Sequence, residues 1–282
     1  MEIKAADVKR LRDKTGAGMM DCKKALTEAE GDFAKAERHL KELGLAAAQK
    51  RAGRATNEGR IFTRVNEGKA GILELSCETD FVARNANFVE LGNKLLGDLM
   101  ESEASLESEQ VQNAIQDAIS TIKENMSARR YRIMQAADGE FIVDYVHGDA
   151  GSIGVLVKIG VDDPSKAKEE AVRNFGFDVA LHIAAFNPVY LSEETVEDSY
   201  LKEQEEIFTK QAEGLGKPEK VIPGIVKGKM KKHLAEVTLL NQPFVKDDKR
   251  SVSQVAADLG TETGAKIQVK DYVYYRVGAE GE

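Results

Sequence analysis

Near the N-terminus apolar positions recur at three- and four-residue intervals, the spacing of helices with one buried face. Val8 and Leu11 share such a face, Ala25 and Leu26 follow, and Phe33, Ala36, Leu40 and Leu43 continue the period. Thr15-Gly16-Ala17-Gly18 ends the first helix, because glycine accepts the left-handed backbone found at helix ends. Asp21 is placed to cap the second helix, and Gly31-Asp32 breaks the chain and caps the third. The result is a three-helix module of about 45 residues, small but within the range that folds alone. The polar run from Lys50 to Gly59 reads as a linker, with its basic cluster an alternative contact for RNA.

The period then changes to two. Arg60–Val65 and Gly71–Cys77 predict strands around the turn Asn66-Glu67-Gly68-Lys69, and a helix carrying Phe88, Leu91, Leu95 and Leu99 follows. Another helix is predicted over about 111–125. The same order recurs: a strand at Glu140–Val146, a turn at His147–Gly151, a returning strand at Ile153–Ile159, and a helix over 165–185 with Asp163 as its cap and Pro164 in its first turn. Gly68–Leu75 lines up with Gly151–Lys158, which points to two related hairpin-plus-helix subdomains. Beyond Leu191 an acidic helix, a turn at Gly214–Pro218 and a basic segment with Lys227, Lys229, Lys231 and Lys232 predict a helical hairpin whose opposed charges attract, or else two ordinary helices with solvated charged faces. Strands at 236–240 and 267–277 complete an α+β protein.

Composition narrows the function more than the fold. With 42% hydrophobic and 31% charged residues and no long apolar run, the chain reads as soluble and spans no membrane. The start Met1–Asp7 lacks the features of a signal peptide, so the expected location is cytoplasmic. A net charge of −8 argues against direct binding to nucleic acid. Cys22 and Cys77 are far apart and read as reduced, half-buried residues.

Enzyme signatures fail one by one. Gly16-Ala17-Gly18 lacks the third glycine and the preceding strand of a dinucleotide loop, and Gly224–Lys229 falls one residue short of a phosphate loop and continues into Met230. His39, His147, His182 and His233 are scattered, with no metal-ligand spacing. His182 reads as a buried-face or rim residue and His147 as a polar turn residue. No cofactor and no catalytic residue is expected.

Two features stand out. Met19-Met20 follows a glycine turn in a module too small to bury everything; the pair is either an adaptable contact surface or partly core. Thr79-Asp80-Phe81-Val82 lies between a strand end and a helix. Thr79 or Asp80 there serves as a cap, and Phe81, in the first turn, points away from the core.

Thr15-Gly16-Ala17-Gly18-Met19-Met20-Asp21-Cys22-Lys23-Lys24-Ala25-Leu26 and Cys77-Glu78-Thr79-Asp80-Phe81-Val82-Ala83-Arg84 resemble the two hallmark motifs of the elongation factor Ts family. Tyr145-Val146-His147-Gly148, His182–Ala185 and Leu239–Asp247 resemble later segments of that family in the same order. The resemblance implies a ubiquitin-associated-like N-terminal domain (1–54), a core N-subdomain (55–140), a core C-subdomain (141–186 and 235–263), a coiled-coil hairpin (187–234) and a short C-terminal module (264–282). It also implies a non-enzymatic guanine-nucleotide exchange factor whose partner is elongation factor Tu, with a homodimer or a two-plus-two complex as possible assemblies.

By the same resemblance Arg12, Met19, Met20 and Lys23 match positions that grip the partner's nucleotide-binding domain. Thr79, Asp80, Phe81 and Val82 match the turn that wedges beside its magnesium, and His147 matches the surface that holds its third domain. An adaptor with a ubiquitin-associated-like module and no effect on nucleotide is the rival reading. Two departures from the family concern the hairpin. Pro223-Gly224 falls where a regular helix is usual, so that this helix starts late or kinks, and His233-Leu234 replaces expected aromatic residues.

Overall fold

The computed structural model describes residues 3–102 and 104–279. Three helices open the chain: α1 (Ala5–Thr15), α2 (Met19–Glu28) and α3 (Phe33–Arg51). Gly16, at φ 66°, ends α1 with its N–H on the Arg12 carbonyl, and the Asp32 carboxylate accepts from Ala34 and Lys35 N–H to start α3. The second helix begins at Met19, not at Asp21, so Asp21 stands in its first turn, where a carboxylate favours the helix dipole. Val8, Leu11, Cys22, Ala25, Leu26 and Ala36 form the small shared core.

The first lobe comprises β1 (Glu58–Asn66), β2 (Lys69–Cys77), the single turn α4 (Asp80–Ala83), α5 (Ala86–Ser102), α6 (Glu109–Ile122) and β3 (Met126–Gln135). Its antiparallel sheet has the order β1-β2-β3. The second lobe repeats the plan with β4 (Glu140–His147), β5 (Ile153–Val161) and α7 (Glu170–Phe186), and the last strand, β8 (Ile267–Arg276), completes its sheet in the order β4-β5-β8. The strand β8 pairs along the whole of β5. Residues 264–282 were expected as a separate module. The described part of that stretch instead completes the second sheet, because the free edge of β5 needs a partner for its backbone groups.

The two sheets face each other across a seam of Ile61, Ala70, Ile72 and Met134 against Ile142, Leu156, Val273 and Tyr275. Gly154 lies against the Ile61 side chain, where a Cβ would have no room. One charged pair enters this region: buried Glu74 accepts from Arg130 Nε at 2.8 Å and from Gly278 N–H at 3.0 Å. Helices cover the outer faces. Phe88, Leu95, Leu96 and Leu99 of α5 pack on the first sheet, and Val172, Phe175, Val179 and Ile183 of α7 on the second. Each fully buried side chain of this size contributes about 1.5–3 kcal/mol.

The hairpin consists of α8 (Asp198–Glu213) and α9 (Ile222–Val237). Of the two outcomes open for Pro223, the late start is realised: the proline sits in the first turn of α9, where its missing N–H has no helical partner to lose. The expected attraction between opposed charges is not what joins the helices, since no ion pair links them among the described residues. Polar and aromatic contacts do so: Tyr200 and His233 share a 2.7 Å hydrogen bond, Phe208 meets His233 edge-on at 5.5 Å, and Lys229 donates to Gln211 at 2.7 Å. His233 thus fills the place of an aromatic ring. The predicted start of α7 also shifts. Asp163 caps a short turn by accepting from Ser165 N–H, a 3-10 turn follows at Lys166–Lys168, and the α-helix begins at Glu170.

A short ribbon, β6 (Pro243–Phe244) and β7 (Asp247–Ser251), leads into α10 (Val252–Thr263), which shares the core of the second lobe. His182 of α7 ties this ribbon down and is fully buried. Val245 N–H donates to its Nδ1 at 3.1 Å, so the proton resides on Nε2, which donates to Gln242 Oε1 at 2.8 Å. Burial holds the pKa of this imidazole below its ordinary 6.5. The unfolded chain therefore takes up the proton first, and the stability tied to neutral His182 is complete above about pH 6.5 and lost as the pH falls below it. Urea unfolding across pH 7.5 to 5 should show this loss in the parent. His182→Gln should be less stable at pH 7.5 but lack this component of the acid dependence.

Candidate functional site

Just past the end of the β2–β3 ladder, where Cys77 faces Met126, the chain turns into α4. Thr79 caps that turn. Its hydroxyl donates to Glu124 Oε1 at 2.7 Å and accepts from Val82 N–H at 3.4 Å, and its own N–H donates to Glu124 Oε2 at 3.0 Å. Asp80 pairs with Arg84 one turn on, at 3.4 Å. Ala83 is buried beneath the turn, so the opposite side faces water, and Phe81 is 82% exposed. An apolar ring this bare, on a turn this well tied, is available for burial in a partner and gives little to the fold.

Glu78 points the other way. Its carboxylate accepts Asn125 N–H at 2.7 Å and lies 3.3 Å from the Arg54 guanidinium; the Asn125 hydrogen bond first, and then Arg54, hold its pKa below the usual carboxylate range. Cys77 is fully buried rather than half-buried, and its thiol donates to the Thr79 carbonyl at 3.2 Å. Burial, reinforced by the Glu124 carboxylate, pushes that thiol up to about 12.

The N-terminal module presents the second group. Met19 and Met20, in the first turn of α2, are 53% and 74% exposed, so of the two readings left open by the sequence the surface one holds. Arg12 and Lys23 are exposed on the same module. The module lies against α6, with Gly16 beside Thr121 and Gly44 so close to Ser120 that a Cβ would stand 2.5 Å from the serine Cβ. Asp21, next to Met20, pairs with Lys123 at 3.0 Å.

His147 stands apart on the second lobe, as the last residue of β4 rather than in a turn. It is exposed, it shares a 2.9 Å hydrogen bond with the Tyr145 hydroxyl, and Tyr145 meets Phe177 edge-on at 5.9 Å. Among the described residues no three His, Cys, Asp or Glu side chains converge to hold a metal ion, and no helix is long and apolar enough to cross a membrane. Sequence reasoning singled out Met19, Met20 and Phe81 but missed Phe177, which is 43% exposed, and Glu124. Its partner, Thr79, is distant in the chain, and nothing local distinguishes Glu124 from other surface carboxylates.

Comparisons with known proteins agree on one family. The family model described as Elongation factor TS matches residues 78–279. The elongation factor Ts of Borrelia garinii subspecies bavariensis is 48% identical over 276 residues, which is 98% of this chain and 99% of that protein. Those of Borreliella burgdorferi strain B31 and Treponema denticola are 47% and 44% identical, again over 98% and 99% of this chain and 99% of each relative.

Removal of Phe81 and removal of Thr79 should therefore have opposite signatures in the isolated protein. Phe81→Ala should leave the urea-unfolding free energy within about 0.5 kcal/mol of the parent, as for other exposed positions. Thr79→Ala loses a cap and should cost about 0.5–2 kcal/mol. A large loss on Phe81→Ala would mean that the ring packs on the protein's own core.

Proposed function

The chain belongs to the elongation factor Ts family and is a factor of translation elongation; from that premise we propose that it acts in the cytoplasm as a guanine-nucleotide exchange factor for elongation factor Tu. The observation that carries this reading is the exposed Phe81 on a turn tied by the Thr79 cap.

The process is binding linkage and involves no covalent step. A protein that weakens GDP binding by some factor has its own binding weakened by GDP in the same factor. Phe81, inserted beside the partner's magnesium site, displaces elements that hold the ion, with Asp80 beside it and Thr79 and Val82 shaping the turn. Without the ion the phosphate charge is less well neutralised, and GDP leaves. Burial of one phenylalanine is worth about 1.5–3 kcal/mol, and each tenfold loss of nucleotide affinity requires about 1.4 kcal/mol. Phe81 alone therefore accounts for one to two decades, and the rest falls to the grips on either side. Arg12, Met19, Met20 and Lys23 hold the nucleotide-binding domain, with the flexible methionines adapting to its surface. His147, with Tyr145 and Phe177 behind it, holds the third domain. Incoming GTP then displaces this protein.

The test is stopped-flow release of fluorescent GDP from purified elongation factor Tu. The parent should accelerate release, and Phe81→Ala should lower the maximal rate by roughly 10–100-fold, the range that follows from burial of one ring. Met20→Ala should mainly raise the concentration needed for half-maximal acceleration. A folded parent that binds without accelerating release would leave an adaptor in place of an exchange factor.

A further inference from the structure

Three consecutive residues after α6 touch the helix that carries Met19 and Met20, the turn that carries Phe81 and the linker between them. Lys123 adopts φ 69°, a left-handed backbone that side chains other than glycine rarely take, and so ends α6 and redirects the chain. Its ammonium reaches Asp21, beside Met19 and Met20. Glu124 accepts both the N–H and the hydroxyl of Thr79, and the hydroxyl, so oriented, turns a lone pair to Val82 N–H at the start of the Phe81 turn. Asn125 is buried; its N–H meets the Glu78 carboxylate, and its side-chain amide donates to the Arg54 carbonyl at 2.7 Å, within the linker that joins the helical module to the first sheet.

The two pairs 78–79 and 124–125 clasp each other reciprocally. Each provides one carboxylate and one backbone N–H to the other, immediately beyond the last rung of the β2–β3 ladder. Secondary structure alone gives the Phe81 turn no such support. The turn is a single one, and its cap is directed by a side chain from a different element. The exposed Lys123–Asp21 pair adds little energy by itself. The Glu124 and Glu78 bonds, with ionised acceptors on fixed backbone donors, are the strong ones.

We infer that Lys123-Glu124-Asn125 is a positioning segment for nucleotide exchange, with Glu124 as its principal member: it sets the direction in which Phe81 projects and ties that direction to the methionine surface of the N-terminal module. This rests on the exchange reading above. Glu124 acts through Thr79 and Phe81 and does not itself touch nucleotide.

The 282-residue chain serves for the test, with fluorescent GDP on elongation factor Tu as the probe and Glu124→Ala, Glu124→Gln, Phe81→Ala and the double variant Glu124→Ala/Phe81→Ala compared over a concentration series carried to saturation. Glu124→Ala should lower the maximal release rate roughly tenfold, toward the lower end of the ~5–150-fold that coupling between sites usually spans, with little change in the half-saturating concentration. Glu124→Gln keeps one acceptor for Thr79 and should recover part of the loss. In the Phe81→Ala background Glu124→Ala should have no further effect, a non-additivity that simple destabilisation does not produce.

Multiplicative losses in the double variant, or an active parent matched by Glu124→Ala, would overturn the positioning role and leave the exchange reading intact. No acceleration by the parent would overturn that reading and the positioning role with it. Should Glu124→Ala fail to fold, Glu124→Gln decides in the same way: a lowered maximal rate that disappears as a difference in the Phe81→Ala background supports the role, and an unchanged rate overturns it.

Discussion

The contact between the two sheets is the constraint from which the rest of the molecule follows. Neither three-stranded sheet can cover both of its faces with its own helices, so one face of each turns inward and Ile61, Ile72, Ile142, Leu156 and Val273 share one apolar seam. Once the sheets are set against each other, their helices must lie outside, and the ends of their strands become fixed points on the surface. Phe81 hangs from the end of β2, and His147 is the end of β4. The presence of Glu74 and Arg130 in this region is consistent with the general cost of burying charge, because the carboxylate is met by two donors and the guanidinium also donates to the Arg276 carbonyl at 3.0 Å. These bonds tie β2, β3 and β8 into one body.

Much of this was legible in the sequence because it is written in local periodicity. The alternation around Asn66–Lys69 and its recurrence around His147–Gly151 identified both hairpins, and helix-start chemistry placed Phe81 facing out. The misses share a cause. The strand β3 carries Arg129, Arg130 and Arg132 where an apolar alternation would be expected, since those side chains serve Thr56, Glu74 and Asp271 on other elements. The last strand looked like a separate module because its partner, β5, lies far back in the chain. Opposed charges in the hairpin suggested ion pairs, yet the seam is made by Tyr200, Phe208 and His233 and by Lys229, which meets Gln211 and the Phe208 ring rather than a carboxylate. For the candidate site the exposed apolar residues could be read directly, whereas Glu124 is defined only by what the fold brings to it.

A division of labour follows between residues that are bare and residues that hold them. Phe81, Met19 and Met20 have few obligations to the fold, which leaves their surface free for a partner. Thr79, Glu78, Glu124 and Asn125 are tied by hydrogen bonds in which each of the two carboxylates accepts from a backbone N–H of the other pair. Such an arrangement leaves the turn ordered in the isolated protein, the condition under which the proposed association would cost little conformational entropy.

The burial of Cys77 has a consequence for chemical durability. Burial pushes its thiol up to about 12, so the sulfur stays protonated at neutral pH. Oxidants and electrophiles attack the ionised sulfur, so the turn that bears Phe81 has a sulfur atom at its root that is nearly inert. Burial thus shields this strand end from thiol chemistry without a disulfide. The same protection lasts only while the strand end stays closed, which makes the reactivity of Cys77 a chemical clock for how often this part of the molecule opens.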